Sequence, residues 1–132
     1  MRSSMLHFVT RYFVHSDERG SIEGLINKGN WQELNLITSD AGIVRGNHYH
    51  KKTQELFIIL EGDIEVQTQA VDEGKLVGNL SIHKVKAGDV FLVEPMTNHI
   101  FTPHKPSKWI NALSEPVDNE HPDFFRIESP HA

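Results

Sequence analysis

Two histidines two positions apart, a glutamate five residues after the second, and a third histidine farther along are the residues of this chain best suited to chemistry. They are His48, His50 and Glu55 in GIVRGNHYHKKTQELFIILEG (42–62), and His99 in GDVFLVEPMTNHIF (88–101). Alternation along a strand puts His48 and His50 on one face. If the chain turns through Lys51 to Gln54, Glu55 opens the next strand of a hairpin and returns its carboxylate to the same side, with His99 completing the set. Three neutral imidazoles and a carboxylate suit a divalent ion, zinc first, with iron(II), manganese, nickel or copper as alternatives, and leave positions open for water or substrate. The chain has no cysteine, which excludes thiolate ligands, disulfides and a cysteine nucleophile. An isolated His-x-His is usually two polar residues on the solvent face of a strand; Glu55 and His99 are what raise this one above that reading.

The elements that must position these residues read as strands. Stretches rich in Val, Ile, Phe and Thr with period-two alternation fall at Leu6–Val14, Ser21–Ile26, Gln32–Ser39, Ile43–Arg45, His48–His50, Leu56–Leu60, Ile64–Ala70, Lys75–Lys86, Val90–Val93, His99–Thr102, Lys108–Leu113 and Phe124–Ile127. Turns carrying glycine separate several of them, at residues 61–63, 72–74 and 86–89. So many short strands predict an all-β fold, a sandwich or a closed double-sheet barrel, in which closure removes exposed edges. The 132 residues, 38% of them hydrophobic, fit one domain over 1–132, with a core about 14–114 and an extended C-terminal arm about 115–132. The Phe124-Phe125 pair predicts that this arm packs on something.

Charge narrows the partners. With 13 basic and 18 acidic residues the net charge is −5 and no Lys/Arg block stands out, so nucleic acid is not expected. The first residues lack an apolar signal core and no run is long enough to span a bilayer, which predicts a cytoplasmic protein without a membrane partner. Of nine histidines, His7, His15, His121 and His131 read as solvated or packing residues.

The 42–62 stretch resembles the first cupin motif, with Gly42, His48, His50, Glu55 and Gly62 at its fixed positions. The second motif is matched more loosely: Gly88 and His99 have its spacing, while its proline is displaced to Pro95, its inner glycine is Met96 and its final asparagine is Pro103. The resemblance implies a single-domain cupin, a double-stranded β-helix or jelly-roll barrel. Residues 16–21 (SDERGS) and 44–49 (VRGNHY) further resemble signatures of the dTDP-4-dehydrorhamnose 3,5-epimerases. Together with Asn98-His99-Ile100 and Pro122-Asp123-Phe124-Phe125, the chain is similar to the metal-binding C-terminal cupin half of bifunctional capsular-polysaccharide enzymes.

That resemblance implies a nucleotide sugar as small-molecule partner, a homodimer, and epimerisation or ketoisomerisation beside a keto group. Such chemistry needs a base, a stabiliser of the enolate and an acid. In the metal-free epimerases the histidine matching His48 is the base, which conflicts with its use as a metal ligand. The expected acid is a tyrosine, and Tyr12 is the candidate because alternation turns Tyr49 away from the histidines. His83, Lys84 and His104 are weaker candidates that read first as surface residues. Arg45 suits a diphosphate through bidentate pairing, with Asn47 beside it, but its odd spacing from His48 requires a bulge at Gly46-Asn47. Arg19 is a second phosphate candidate or a structural turn residue, and Lys51-Lys52 read as a solvated turn. An iron-dependent dioxygenase and a non-catalytic sugar-binding or sensing module are the competing functions, since fold alone does not fix chemistry.

Overall fold

The computed structural model describes residues 6–127. Its strands are β1 (Leu6–Phe8), β2 (Phe13–Asp17), β3 (Gly20–Gly24), β4 (Glu33–Ser39), β5 (Arg45–His48), β6 (Glu55–Glu61), β7 (Asp63–Asp72), β8 (Lys75–Lys86), β9 (Val90–Val93), β10 (Thr97–Pro103) and β11 (Ser107–Leu113). Among the described residues there is no helix, and so none long and apolar enough to cross a membrane.

Two antiparallel sheets form the body, one in the order β1-β9-β6-β11-β4 and the other β5-β10-β7-β8. Alternation aims one side of every strand inward, and between the sheets Phe57, Ile59, Ile64, Val66, Phe91, Phe101 and Trp109 close a core in which none exceeds 3% exposure. Each such side chain contributes about 1.5–3 kcal/mol on leaving water. The rings form a chain, Phe91 to Phe57 at 5.2 Å, Phe57 to Phe101 at 4.8 Å and Phe101 to Trp109 at 5.4 Å. Outside the five-stranded sheet, Leu56, Val90, Leu92 and Ala112 are covered by Leu25, Ile26 and Trp31, so the irregular segment after β3 is a second, smaller layer of packing.

Three details differ from the sequence reading. The first predicted strand is broken: β1 stops at Phe8, and Arg11, held by Glu23 and the Gly88 carbonyl, marks where the chain leaves the barrel for the separate hairpin β2-β3. Residues 124–127 form no strand, only a bridge between Phe125 and Tyr49. Most consequentially, β5 and β6 are not a hairpin. β5 pairs with β10 in one sheet while β6 lies between β9 and β11 in the other, so residues 49–54 cross from sheet to sheet and the histidines face Glu55 across the barrel.

Candidate metal centre

The site begins with a backbone irregularity. His48 pairs with His99, but the next step on β10, Ile100, pairs with Gly46, which leaves Asn47 as an extra residue. Gly46 and Asn47 take φ of 92° and 62°, a bulge of the kind that re-aims side chains. Its effect is to place Arg45 opposite Phe101 and His48 opposite His99, both on the inner face despite their odd spacing. A Cβ at Gly46 would stand 2.6 Å from the His99 carbonyl oxygen, so only glycine permits this approach of the two histidine-bearing strands.

The other histidine strand is reached through Pro95 and Met96. Met96 has φ 60°, the left-handed conformation that a glycine would take without strain, and is held there by its N–H to the His50 carbonyl (2.7 Å) and its carbonyl to the Val71 N–H (2.9 Å). Methionine therefore performs the turn that the second cupin motif assigns to glycine.

One donor atom from each of His48, His50, Glu55 and His99 lies within 4.8 Å of the others. Glu55 Oε1 is 2.9 Å from His50 Nε2 and 3.2 Å from His99 Nε2, yet Oε1 and His50 Nε2 are buried without an aligned hydrogen-bond partner. The opposite side of each group is committed. Glu55 Oε2 accepts from Asn111 Nδ2 at 3.0 Å, His99 Nδ1 meets the Thr97 carbonyl at 3.3 Å, and His50 Nδ1 meets the carbonyl of Asp123. Bonds of this sort fix the tautomer and leave Nε2 as the free lone pair.

The electrostatics suit the same use. Burial and the neighbouring His99 push His48 down to about 4, so its imidazole is neutral at neutral pH. Burial likewise lowers His99. For Glu55 burial works toward the neutral acid, but His99, His50 and His48 outweigh it and hold the carboxyl at about 2, ionised. At His50 burial lowers and the Glu55 and Asp123 contacts raise, with a net rise. Convergent donors, two of them buried without an aligned partner, with an ionised carboxylate and mostly neutral imidazoles, form a group that could hold a divalent ion.

His48, Glu55 and His99 of the cluster line a cavity of about 190 Å³ together with Ile37, Arg45, Phe57, Phe101, Trp109 and Asn111. Arg45 also lines the adjoining groove with Asp40 and Lys108, and donates to the Thr38 carbonyl at 3.0 Å. Asn47 accepts from Asn98 Nδ2 at 3.3 Å. The remaining sequence candidates lie elsewhere. Tyr12 is 55% exposed and lines a different groove with Leu25, Ile26 and Leu92. Arg19 is at the hairpin tip, bound to Asp17 through its own N–H and through Nη2 at 2.6 Å, the structural turn of the two readings. His83 is half-buried beside Phe8, and Lys84 and His104 are exposed. Tyr49 is buried against Phe125 and faces away from the cluster.

Sequence reasoning missed the C-terminal arm as part of the site. The Phe124 ring lies 4.3 Å from the His48 ring, and the Asp123 carboxylate accepts from the N–H groups of Lys51, Lys52 and Thr53 and from the Thr53 hydroxyl. The turn at Lys51-Lys52 is thus clamped, with Lys51 Nζ 4.2 Å above the Phe125 ring. The aromatic pair was the available signal; its target, some 75 residues away in sequence, was not.

The architecture recurs in solved structures. The 3,4-ketoisomerase QdtA from Thermoanaerobacterium thermosaccharolyticum, solved as a mutant with TDP-4-keto-6-deoxyglucose, superposes with a TM-score of 0.72 at 19% identity, over 95% of this chain and 89% of that one. The dTDP-4-dehydrorhamnose 3,5-epimerase of Elizabethkingia anophelis gives 0.69 at 19% identity, over 89% and 78%. The capsular polysaccharide assembling protein CapF of Staphylococcus aureus gives 0.66 at 21% identity, over 89% of this chain but only 34% of its own. These likenesses give the fold, that of the RmlC-like cupins. A UDP-2-acetamido-2,6-beta-L-arabino-hexul-4-ose reductase of Pseudomonas aeruginosa is 31% identical over 49 residues, 37% of this chain and 13% of that protein. The chain thus spans a minor part of both the reductase and CapF. Residues 15–123 match the model of the polysaccharide biosynthesis C-terminal domain, and the chain belongs to that family.

Proposed function

We propose that this chain is a metal-dependent isomerase that acts on a nucleotide-linked keto sugar in surface-polysaccharide biosynthesis, epimerising or ketoisomerising a carbon beside the carbonyl. The observation that carries the reading is the convergence of His48, His50, Glu55 and His99 on one point, beside a cavity lined by three of them and by the Arg45 guanidinium. A divalent ion bound there, zinc by preference and iron, manganese or nickel as alternatives, would supply Lewis-acid stabilisation of negative charge on a substrate oxygen.

The chain's own residues have separable tasks. His50, His99 and Glu55 hold their donors inward through the Asp123, Thr97 and Asn111 contacts. Phe57, Phe101 and Trp109 exclude water from the floor of the cavity, and Arg45, with Asn47 nearby, offers a bidentate grip on a diphosphate. A ring nitrogen that holds a metal cannot also accept a proton. The reading therefore gives His48 to the ion when one is bound and leaves it as a base only without one. Among the described residues no tyrosine lines this cavity.

The proposal further takes residues 1–132 as one domain in the cytoplasm, where nucleotide sugars are made, and as a homodimer. The hairpin β2-β3 supports the last point. It belongs to neither barrel sheet and exposes Phe13, Val14 and Ile22 at 48%, 60% and 61%, and an isolated two-stranded ribbon is marginal in water.

The test is proton exchange. In deuterated water with dTDP- and UDP-linked 4-keto-6-deoxy sugars, the protein should exchange a ring proton beside the carbonyl, and His50→Ala and Glu55→Ala should abolish both exchange and bound metal. No exchange with any such sugar rejects the isomerase. The same donor set also suits iron(II), so bound iron with substrate-dependent oxygen uptake would favour a dioxygenase instead, while zinc, without redox chemistry, would exclude it. Tight sugar binding without turnover would favour a sensing module.

A further inference from the structure

Asp123 on the C-terminal arm engages His50 and the segment that follows it in two ways. The Asp123 carbonyl accepts from His50 Nδ1, on the far side of the ring from the nitrogen that faces Glu55 and His99. Its carboxylate accepts four bonds from the segment directly after that histidine: Lys51 N–H at 2.8 Å to Oδ1, and Lys52 N–H, Thr53 N–H and Thr53 Oγ1–H, each at 2.9 Å to Oδ2. The residues after Asp123 fasten the arm along the same strand, by paired backbone bonds between Phe125 and Tyr49 at 2.9 and 3.0 Å and by Arg126 Nη1 to the Asn47 carbonyl at 3.3 Å.

We infer that Asp123 is the positioning residue of His50, so that the arm and not the barrel alone sets the tautomer and aim of this imidazole. The inference rests on the reading of His50 as a metal ligand. The chemistry points this way because His50 lies two residues past the end of β5, where the ladder with β10 has ended and the chain is crossing between sheets. The His50 carbonyl accepts from the Met96 N–H, but among the described residues no strand ladder takes up the N–H groups of residues 51–53 that follow it. The carboxylate replaces those missing ladder bonds by gathering three consecutive N–H groups, and the carbonyl of the same residue is thereby delivered to Nδ1. Outer partners of metal-bound histidines typically change metal affinity 10–100-fold when lost.

The experiment compares the wild-type chain with Asp123→Ala and Asp123→Asn, the latter keeping one acceptor oxygen. In metal-free protein at alkaline pH, where the ring is neutral, two-bond ¹⁵N–¹H correlation of the imidazoles should report His50 as the Nδ1–H tautomer in the wild type, and as a mixed, exchanging tautomer in Asp123→Ala. Chelator competition should show zinc held 10–100-fold more weakly in Asp123→Ala and at an intermediate level in Asp123→Asn. The visible spectrum of the cobalt(II) form should shift in the same order, with far-UV circular dichroism unchanged. An unaltered His50 tautomer, or zinc affinity within twofold of wild type in Asp123→Ala, overturns the inference. If the wild type takes up no metal while its His50 tautomer still depends on Asp123, the metal reading fails and the positioning role stands.

Discussion

Asn111 donates to Glu55 Oε2 at 3.0 Å, and both side chains are all but sealed from solvent, at 6% and 5% exposure. Residue 111 pairs with Phe57 on β6, two residues beyond Glu55, so the amide reaches diagonally across two neighbouring strands of one sheet. The bond holds one carboxylate oxygen and thereby aims the other at the histidines. Asn111→Leu should leave a buried carboxylate oxygen without a donor, a cost of about 1–3 kcal/mol or more because the group is charged. Thermal unfolding in chelator should show that loss, and zinc competition should show an affinity reduced 10–100-fold. An unchanged affinity would mean that the barrel aims Glu55 without Asn111.

Met96 offers a stabilising change. Its φ of 60° costs an L-residue roughly 1–2 kcal/mol relative to the right-handed regions. The two backbone bonds that hold the turn, to His50 and Val71, do not depend on the side chain. Met96→Gly should therefore raise stability by up to about 1 kcal/mol, the strain relief being partly offset by glycine's larger unfolded-state entropy and by lost packing of the half-buried thioether. Denaturant unfolding at fixed m-value reads the change. A fall in stability would show that methionine packing outweighs the strain.

What the sequence made legible follows the range of the interactions involved. Strands such as β8 and β9 were readable to the residue because alternation and flanking turns are local signals. The grouping of His48, His50, Glu55 and His99 was legible in their spacing, and the Gly46-Asn47 bulge was demanded by the parity of Arg45 and His48. The pairing of β5 with β10 rather than β6 was not readable, since a short turn between two strands is locally the same whether the chain folds back or crosses to the facing sheet. The role of the arm was hidden for a related reason: Asp123 acts on residues 50–53 through contacts 70 to 73 positions away in sequence. No periodicity records such a contact. Tyr12 and Arg19 were chosen by resemblance, and within one chain neither lies in the cavity with His48.

The hairpin tip gives a pH prediction. Asp17, through its bonds from the Arg19 side chain and N–H and from His15, is held at about 2, below its ordinary 3.8. A depressed carboxyl contributes stability that is present above the unfolded value and is lost as pH falls through the folded one. The turn should therefore keep its full contribution at pH 5 and above and lose it between about pH 4 and 2. Carboxyl-carbon NMR should place the Asp17 titration in that lower window, and Arg19→Ala should move it back toward the ordinary range. A normal titration in the wild type would show that the Asp17–Arg19 contact does not persist in solution.

The same hairpin bears on assembly. Val14 lies opposite Glu23 while Ile22 lies opposite His15, so the two side chains project from opposite faces of the ribbon, and Phe13 shares a face with Ile22. Both faces thus carry exposed apolar groups, and Arg11 with Glu23 holds only the base of the hairpin to the barrel. A second copy that covers one face would bury apolar area worth about 25 cal/mol per Å². It would also supply the additional strands that a two-stranded ribbon lacks. Light scattering on the wild type should give the mass of a dimer. Ile22→Lys combined with Val14→Lys should shift it to the monomer with circular dichroism preserved, because neither residue belongs to the barrel core. A monomeric wild type, or a dimer indifferent to both substitutions, would remove the hairpin from the assembly and leave its exposed residues to some other surface.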